Sequence, residues 1–308
     1  MPQLSIVRPG MFTTIQDLGR WGFQSRGVPV SGAMDQYSHR LANRLVGNED
    51  AAATLEATMT GPEIACEEDL TFAITGAVFD LTLDGVAVGM NEAIGAKAGS
   101  TLKFGVRRRG ARTYLAVAGG IDVPEVLGSR STHVLTGTGG LQGRALRAGD
   151  RIFTIQKGMK GEGEGVIVPR PLPLAPLPLP DGGACLRVIP GAQRCFEYLS
   201  STRFRISSQS NRMGYRLEAS SVGTGPAGNM LSQAVPAGAV QVPPTGEPLM
   251  LMADHATTGG YRIGATVISA DLSLAGQLAP GDWIEFESCS LESADRALLD
   301  QEAALDVP

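Results

Sequence analysis

The stretch FDLTLDGVAV, residues 79–88, decides the fold class. Phe79, Leu81 and Leu83 alternate with Asp80, Thr82 and Asp84, the period of two that turns one face of a strand to a core and the other to water. Asp84-Gly85 then supplies the positive φ values of a two-residue hairpin turn. The segment is read as a half-buried β-hairpin. Working outward, 40 glycines and 19 prolines among few long helical patterns predict many short strands joined by tight turns. A second hairpin is expected where TLKFGV and TYLAVA flank RRRGAR, with Gly110 at the reversal.

Two helices are expected. One covers residues 35–46, with Asp35 as cap, Tyr37, Leu41 and Leu45 at helical spacing, and Gly47-Asn48 as a left-handed stop. The other runs from Ser290 as cap, with Leu291, Ala294, Leu298 and Leu305 on one face. Both should pack across sheets.

At 308 residues the chain is long for one core and suits two domains. PRPLPLAPLPLPDGG, residues 169–183, cannot sustain a hydrogen-bonded ladder through its prolines and is the expected connection. The expected division is therefore 1–168, a linker at 169–183, and 184–308. GRALRAGDRIFTI before the linker is echoed by GQLAPGDWIEFE after it, each a Gly-Asp turn launching a strand. Two related β-barrels in tandem would give that echo.

Acids outnumber bases 31 to 26, so no broad positive field would gather nucleic acid or anionic lipid; neither is an expected partner. The first residues, MPQLSIVRPG, lack the pattern of a secretory signal, and no apolar run reaches membrane-spanning length. Cys66, Cys185, Cys195 and Cys289 are scattered with no C-x-x-C pair, against a zinc knuckle or a disulfide framework. A cytoplasmic location and no bound metal are the expectations.

Several motifs fail on inspection. In TGTGGLQG, residues 136–143, the glycines are out of dinucleotide register and no helical pattern follows, so a turn is expected. No Walker lysine loop, H-E-x-x-H or G-x-S-x-G occurs. Arg107, Arg108 and Arg109 are expected as solvated charge at a hairpin tip rather than a phosphate grip. His39, on the outer face of its helix, and His133, among apolar neighbours, are read as structural.

Three polar, glycine-rich segments resist a purely structural reading. TTIQDLGRWGFQSRGVPVSGAMD, residues 13–35, gathers Gln16, Asp17, Arg20, Gln24, Arg26, Ser31 and Asp35 with little periodicity. It is either an irregular loop at a barrel end or a binding segment, with Gln24 and Asp35 as candidate ligand contacts and Asp17 able to pair with Arg20. In SSQSNRMGYRL, residues 207–217, Arg212 offers a planar fork for carboxylate or phosphate and Tyr215 a ring and a hydroxyl; the alternative is a strand turn with surface arginines. In ADHATTGGYRIGATVIS, residues 253–269, the N–H groups of Thr257, Thr258, Gly259 and Gly260 are candidates for an anion-receiving concavity. Asp254 and His255 are the candidate proton carriers there and Tyr261 a wall, unless Asp254 merely caps a turn and His255 faces water.

GVPVSGAMD with the following LANRLVGN, AVAGGIDVPEVLGSRST, SQSNRMGYRL, QVPPTGEP and ATTGGY together resemble the biotin-dependent carboxyltransferase family, also called allophanate hydrolase subunit 2. Within it the motifs are similar to those of the C-type subunits of bacterial ATP-dependent 5-oxoprolinases, and the likeness covers nearly the whole chain. The resemblance implies a mainly β protein of two tandem cyclophilin-like β-barrel domains with a few short helices. It also implies a B-type partner subunit, an A-type subunit that completes ring opening, and a small lactam or amide substrate. Where many relatives read Asp-x-Gln-Thr-Thr-Gly-Gly-Tyr-Pro, this chain has Ala256 and Arg262, so His255 replaces the lost donor or the site is retuned for another lactam.

The resemblance implies ATP as well. With no nucleotide loop here, ATP would be supplied by or shared with a partner chain. Two other functions stay open: carboxyl transfer from carboxybiotin to urea or a related amide, the one case that calls on biotin, and a non-catalytic regulator binding a kinase-inhibitor-like partner.

Overall fold

The computed structural model describes residues 3–155, 176–219 and 231–305, so the first part of the proline-rich segment 169–183, residues 169–175, lies outside the described residues. By their contacts the residues form two units. The first takes the chain up to Arg20 and from Asp35 to Leu179; the second takes Trp21–Met34 and the chain from Pro180 to Asp306. Residues 21–34, which sequence position alone puts in the first domain, thus belong by contact to the second. Met34 is buried in the core of that unit.

Both units are built from strands, as composition and motifs predict. The first is a ten-stranded sheet curled into a half-barrel. The hairpin forms as read: Leu70–Leu83 pairs with Val86–Val88, Leu81 opposite Val88, and Asp84 and Gly85 take φ of 53° and 81° at the turn. Phe79 and Leu81 point into the core with Leu4, Ile6, Leu55, Ile74 and Leu115. Each such fully buried aliphatic side chain contributes roughly 1.5–3 kcal/mol.

The second expected hairpin does not form. Residues 101–117 are one strand, Thr101–Val117, lying antiparallel along Leu70–Leu83 from Leu83↔Leu102 to Phe72↔Val117. Gly110, at φ 74°, falls where that pairing slips in register, so its left-handed backbone makes a bulge and the chain continues straight on. Arg107, Arg108 and Arg109 therefore sit in a strand rather than at a tip. Arg108 grips Asp80 on the neighbouring strand, Nε at 3.0 Å and Nη2 at 2.6 Å.

The helix Gln36–Leu45 forms with Asp35 accepting from Ser38 N at 2.9 Å, and buries Tyr37, Leu41 and Leu45. It packs on Leu70–Leu83 and Thr101–Val117. His39 is a correction: it is 0% exposed, with Nδ1 2.9 Å from Thr54 Oγ1 and Nε2 3.0 Å from the Asp50 carbonyl. Burial pushes its pKa down to about 4. A helix pressed on two long strands buries more than a three-residue stripe, which the spacing of the leucines understates.

The second unit closes into a barrel of seven strands, in the order Gly183–Pro190, Arg262–Val267, Ala239–Val242, Leu249–Leu251, Gly214–Glu218, Phe204–Ile206 and Trp283–Ser288. The parallel pair Gly183–Pro190 and Trp283–Ser288 completes the ring. Helices Gln193–Ser200 and Ser269–Gly276, not expected from the sequence, accompany it. The last helix, Leu291–Leu305, starts at Ser290, whose Oγ accepts from Ser293 N at 3.1 Å. Of its expected apolar face only Leu305 is buried, while Leu291 is exposed.

The repeated Gly-Asp turn has the same bonds in both units. Gly149 and Gly281 take φ of 86° and 94°. Asp150 Oδ2 accepts from Arg147 N at 2.7 Å and Asp282 Oδ2 from Ala279 N at 2.8 Å. Gly149 N donates to Ile6 O and Gly281 N to Ile206 O, each at 2.8 Å. The reverse bonds, Ile6 N to Asp150 O and Ile206 N to Asp282 O, are also present.

Candidate functional site

The strand Gly214–Glu218 lies antiparallel to Leu249–Leu251, with Gly214 opposite Leu251. Beyond the strand ends the two chain segments stay paired: Met252 N donates to Met213 O at 3.0 Å and Asp254 N to Arg212 O at 2.8 Å. Register alone therefore brings Arg212 beside Asp254. Their side chains join in a bidentate ion pair, Nε to Oδ2 at 2.9 Å and Nη2 to Oδ1 at 3.0 Å. Each side chain is 8% exposed, so the pair is shielded from water.

The third polar segment arrives at the same place. Ser31 Oγ donates to Asp254 Oδ1 at 2.7 Å, and Arg212 Nη2 donates to Gly32 O at 2.6 Å. Ser31 and Gly32 have φ of 60° and 95°, a left-handed pair that aims the serine hydroxyl and the following carbonyl at the ion pair. Thus one member of each segment singled out in the sequence, Ser31, Arg212 and Asp254, meets around one carboxylate. Sequence reasoning named all three but not their partnership, which depends on residues 21–34 joining the second unit.

His255 follows directly. It is buried, Nδ1 lies 2.7 Å from the Ala256 carbonyl, and burial lowers its pKa below the usual imidazole range. With Nδ1–H donating to that carbonyl, Nε2 is the atom left to accept a proton.

The remaining candidates are placed differently. Tyr215 is buried in the barrel core, its hydroxyl donating to the carbonyls of Ala275 and Leu278 at 3.1 and 3.2 Å, so it anchors a helix end instead of presenting a ring to a ligand. Thr258 and Gly259 run extended and pair with Ala234 and Gln233, and neither Gly259 nor Gly260 has a positive φ. The alternating backbone of an anion-receiving concavity is therefore not formed at Thr257–Gly260. Tyr261 is 41% exposed beside them. Gln24 lies in a single 3-10 turn and accepts from Gly22 N. Asp35, in the first unit, serves as the helix cap described above.

Asp17 and Arg20 meet through Ser131 of the first unit. Asp17 accepts from Ser129 Oγ at 2.7 Å, from Arg130 N at 2.5 Å and from Ser131 Oγ, while Arg20 donates to the Ser131 carbonyl. A cleft of about 330 Å³ opens beside them, lined in part by Gly19, Asn48, Glu49, Gly120 and Arg130. The sequence pattern marked only Asp17 of its lining, because the walls come from five separate stretches of chain. Among the described residues no group of three or more His, Cys, Asp or Glu is placed to hold a metal ion, and no helix is long and apolar enough to cross a membrane.

Comparison with known proteins agrees with the motifs. The family described as carboxyltransferase domain, subdomain A and B, matches residues 26–288. The C-type 5-oxoprolinase subunit of Escherichia coli is 42% identical over 305 residues, covering 97% of this chain and 95% of that protein. Urea amidolyase of Saccharomyces cerevisiae is 36% identical over 321 residues, covering 98% of this chain but 17% of the yeast protein. The solved structure of Kluyveromyces lactis urea amidolyase superposes with a TM-score of 0.88 at 32% identity, and this chain, 99% covered, spans 20% of that larger one. The chain belongs to the carboxyltransferase domain family, subdomains A and B.

Proposed function

We propose that this chain is the C-type subunit of an ATP-dependent 5-oxoprolinase. With a B-type subunit it activates 5-oxoproline, a small lactam, and an A-type subunit then finishes ring opening to glutamate. The near full-length similarity to the E. coli protein supports the substrate. The observation that carries the site is the convergence of Ser31 and Arg212 on the Asp254 carboxylate. Arg212 is engaged within the protein, so its part is to position Asp254 and the 31–32 turn.

That frame holds His255 next in sequence to a fixed carboxylate. When a lactam oxygen acts as a nucleophile its N–H proton must leave, and His255 Nε2, kept neutral by burial, is suited to accept it. The groups that the sequence offers for a phosphate are engaged within the protein: Arg108 is held by Asp80, Arg212 by Asp254, and Thr258–Gly259 is strand. ATP, which would supply the phosphoryl group, is on this reading held by the partner or shared with it. The chain mixed with B-type and A-type subunits should release phosphate from ATP when 5-oxoproline is added and not without it. Phosphate release indifferent to 5-oxoproline would remove the assignment.

A second reading, carboxyl transfer from carboxybiotin to urea or a related amide, is favoured by the similarity to urea amidolyase. Carboxylated biotin carrier offered with urea separates the two, since only this reading predicts loss of the carboxyl group from biotin.

A further inference from the structure

Gln241 lies on the barrel strand Ala239–Val242, opposite Leu249 on one neighbour and Ile263 on the other, and is 4% exposed. Its Nε2 is fully buried and, among the described residues, has no hydrogen-bond partner. A buried donor without an acceptor is unfavourable in any folded protein, so its retention needs a reason. The amide lies against Gly259: a Cβ built on that glycine would fall 2.3 Å from Nε2. Only a residue without a side chain lets the carboxamide come this close to the strand Thr258–Gly259. That strand leads away from Asp254 and His255, is held by two residue pairs, and has Thr258 exposed. The unused donor thus lies against the short strand that follows the proposed proton acceptor in sequence.

We propose that Gln241 Nε2 donates to the carbonyl oxygen of the bound lactam or amide, which makes Gln241 a substrate-binding residue that selects for a neutral carbonyl acceptor. The inference rests on the function proposed above. Binding requires the short Thr258–Gly259 ladder to shift, at the loss of few hydrogen bonds. A side chain at 259 would compete for the space of the amide.

The test uses Gln241→Met, which keeps the volume and removes the donor, and Gln241→Glu, which keeps the shape and replaces the donor with an acceptor. Both are measured in the complete complex with 5-oxoproline, and the Met variant is also melted as the free chain. KM for 5-oxoproline should rise roughly tenfold or more in both, with kcat much less changed. The melting temperature of the Met variant should be unchanged or higher, because no internal hydrogen bond is lost. An unchanged KM with an active wild-type complex overturns this inference alone. A clearly lower melting temperature also overturns it, since the amide would then have an internal partner such as a buried water. A wild-type complex that ignores 5-oxoproline removes the proposed function and this inference together.

Discussion

Arg212 and Asp254, 42 residues apart in sequence, are joined by two hydrogen bonds of 2.9 and 3.0 Å, and a backbone bond from Asp254 N to Arg212 O locks their register. Because the pair is buried, its value depends on both partners being present. Removing one leaves a charge in a dry site, at about 3–5 kcal/mol, whereas replacing both with apolar groups avoids that penalty. Asp254→Ala should therefore lower stability against urea by about 3 kcal/mol or more. Arg212→Met with Asp254→Leu should be less destabilised than the two single changes summed. Simple additivity would mean the ion pair is not formed in solution.

The buried His39 gives a pH dependence with a fixed sign. Its folded pKa of about 4 lies below the unfolded value of 6.5, so the unfolded chain binds more protons between those values. The contribution to stability is complete above pH 6.5 and is lost as pH falls toward 4, amounting to roughly 3 kcal/mol. Chemical denaturation of wild type and His39→Gln across that range should show a steeper acid loss in the wild type. Parallel curves would show that the imidazole is not desolvated.

The matched closing turns predict matched responses. A Cβ on Gly149 or Gly281 would meet nothing within 4 Å, so alanine at either position costs only its left-handed backbone, about 1–2 kcal/mol. Gly149→Ala and Gly281→Ala should therefore destabilise by similar amounts, read by thermal melting. A loss at one and none at the other would show that the two turns do not carry equal weight in the stability of their units.

Much of this was legible in the residues because it is local. Asp84-Gly85 dictates its turn, Asp35 and Ser290 cap the helices that follow them, and the Gly-Asp echo marks the same closing device twice. The failures are places where long-range pairing decides. Gly110 can make a reversal or a bulge, and the full-length ladder with Leu70–Leu83 selects the bulge. Tyr215 sits at a strand position whose inward face the short pattern around Met213-Gly214 does not reveal. The segment 253–261 was recognisable as a loop rich in donors, but the pairing of Thr258 with Ala234, which straightens it, joins residues too far apart to read. Ser31, Arg212 and Asp254 were each visible as unusual polar residues, and only the fold shows that they share one carboxylate.

The central claim is that the Asp254 cluster and His255 serve the activation of 5-oxoproline. Its most direct test is 5-oxoproline-dependent phosphate release by the reconstituted complex as a function of pH, for wild type, Asp254→Asn and His255→Gln, with formation of the complex monitored in parallel. Burial lowers the His255 pKa, so the neutral imidazole persists below the ordinary value of 6.5 and the acid limb of the wild-type rate should lie below that pH. We predict that both variants assemble, that each loses roughly 100-fold or more in rate, and that His255→Gln also loses the acid limb. Variants that assemble and turn over like the wild type, with the acid limb intact, would contradict the account.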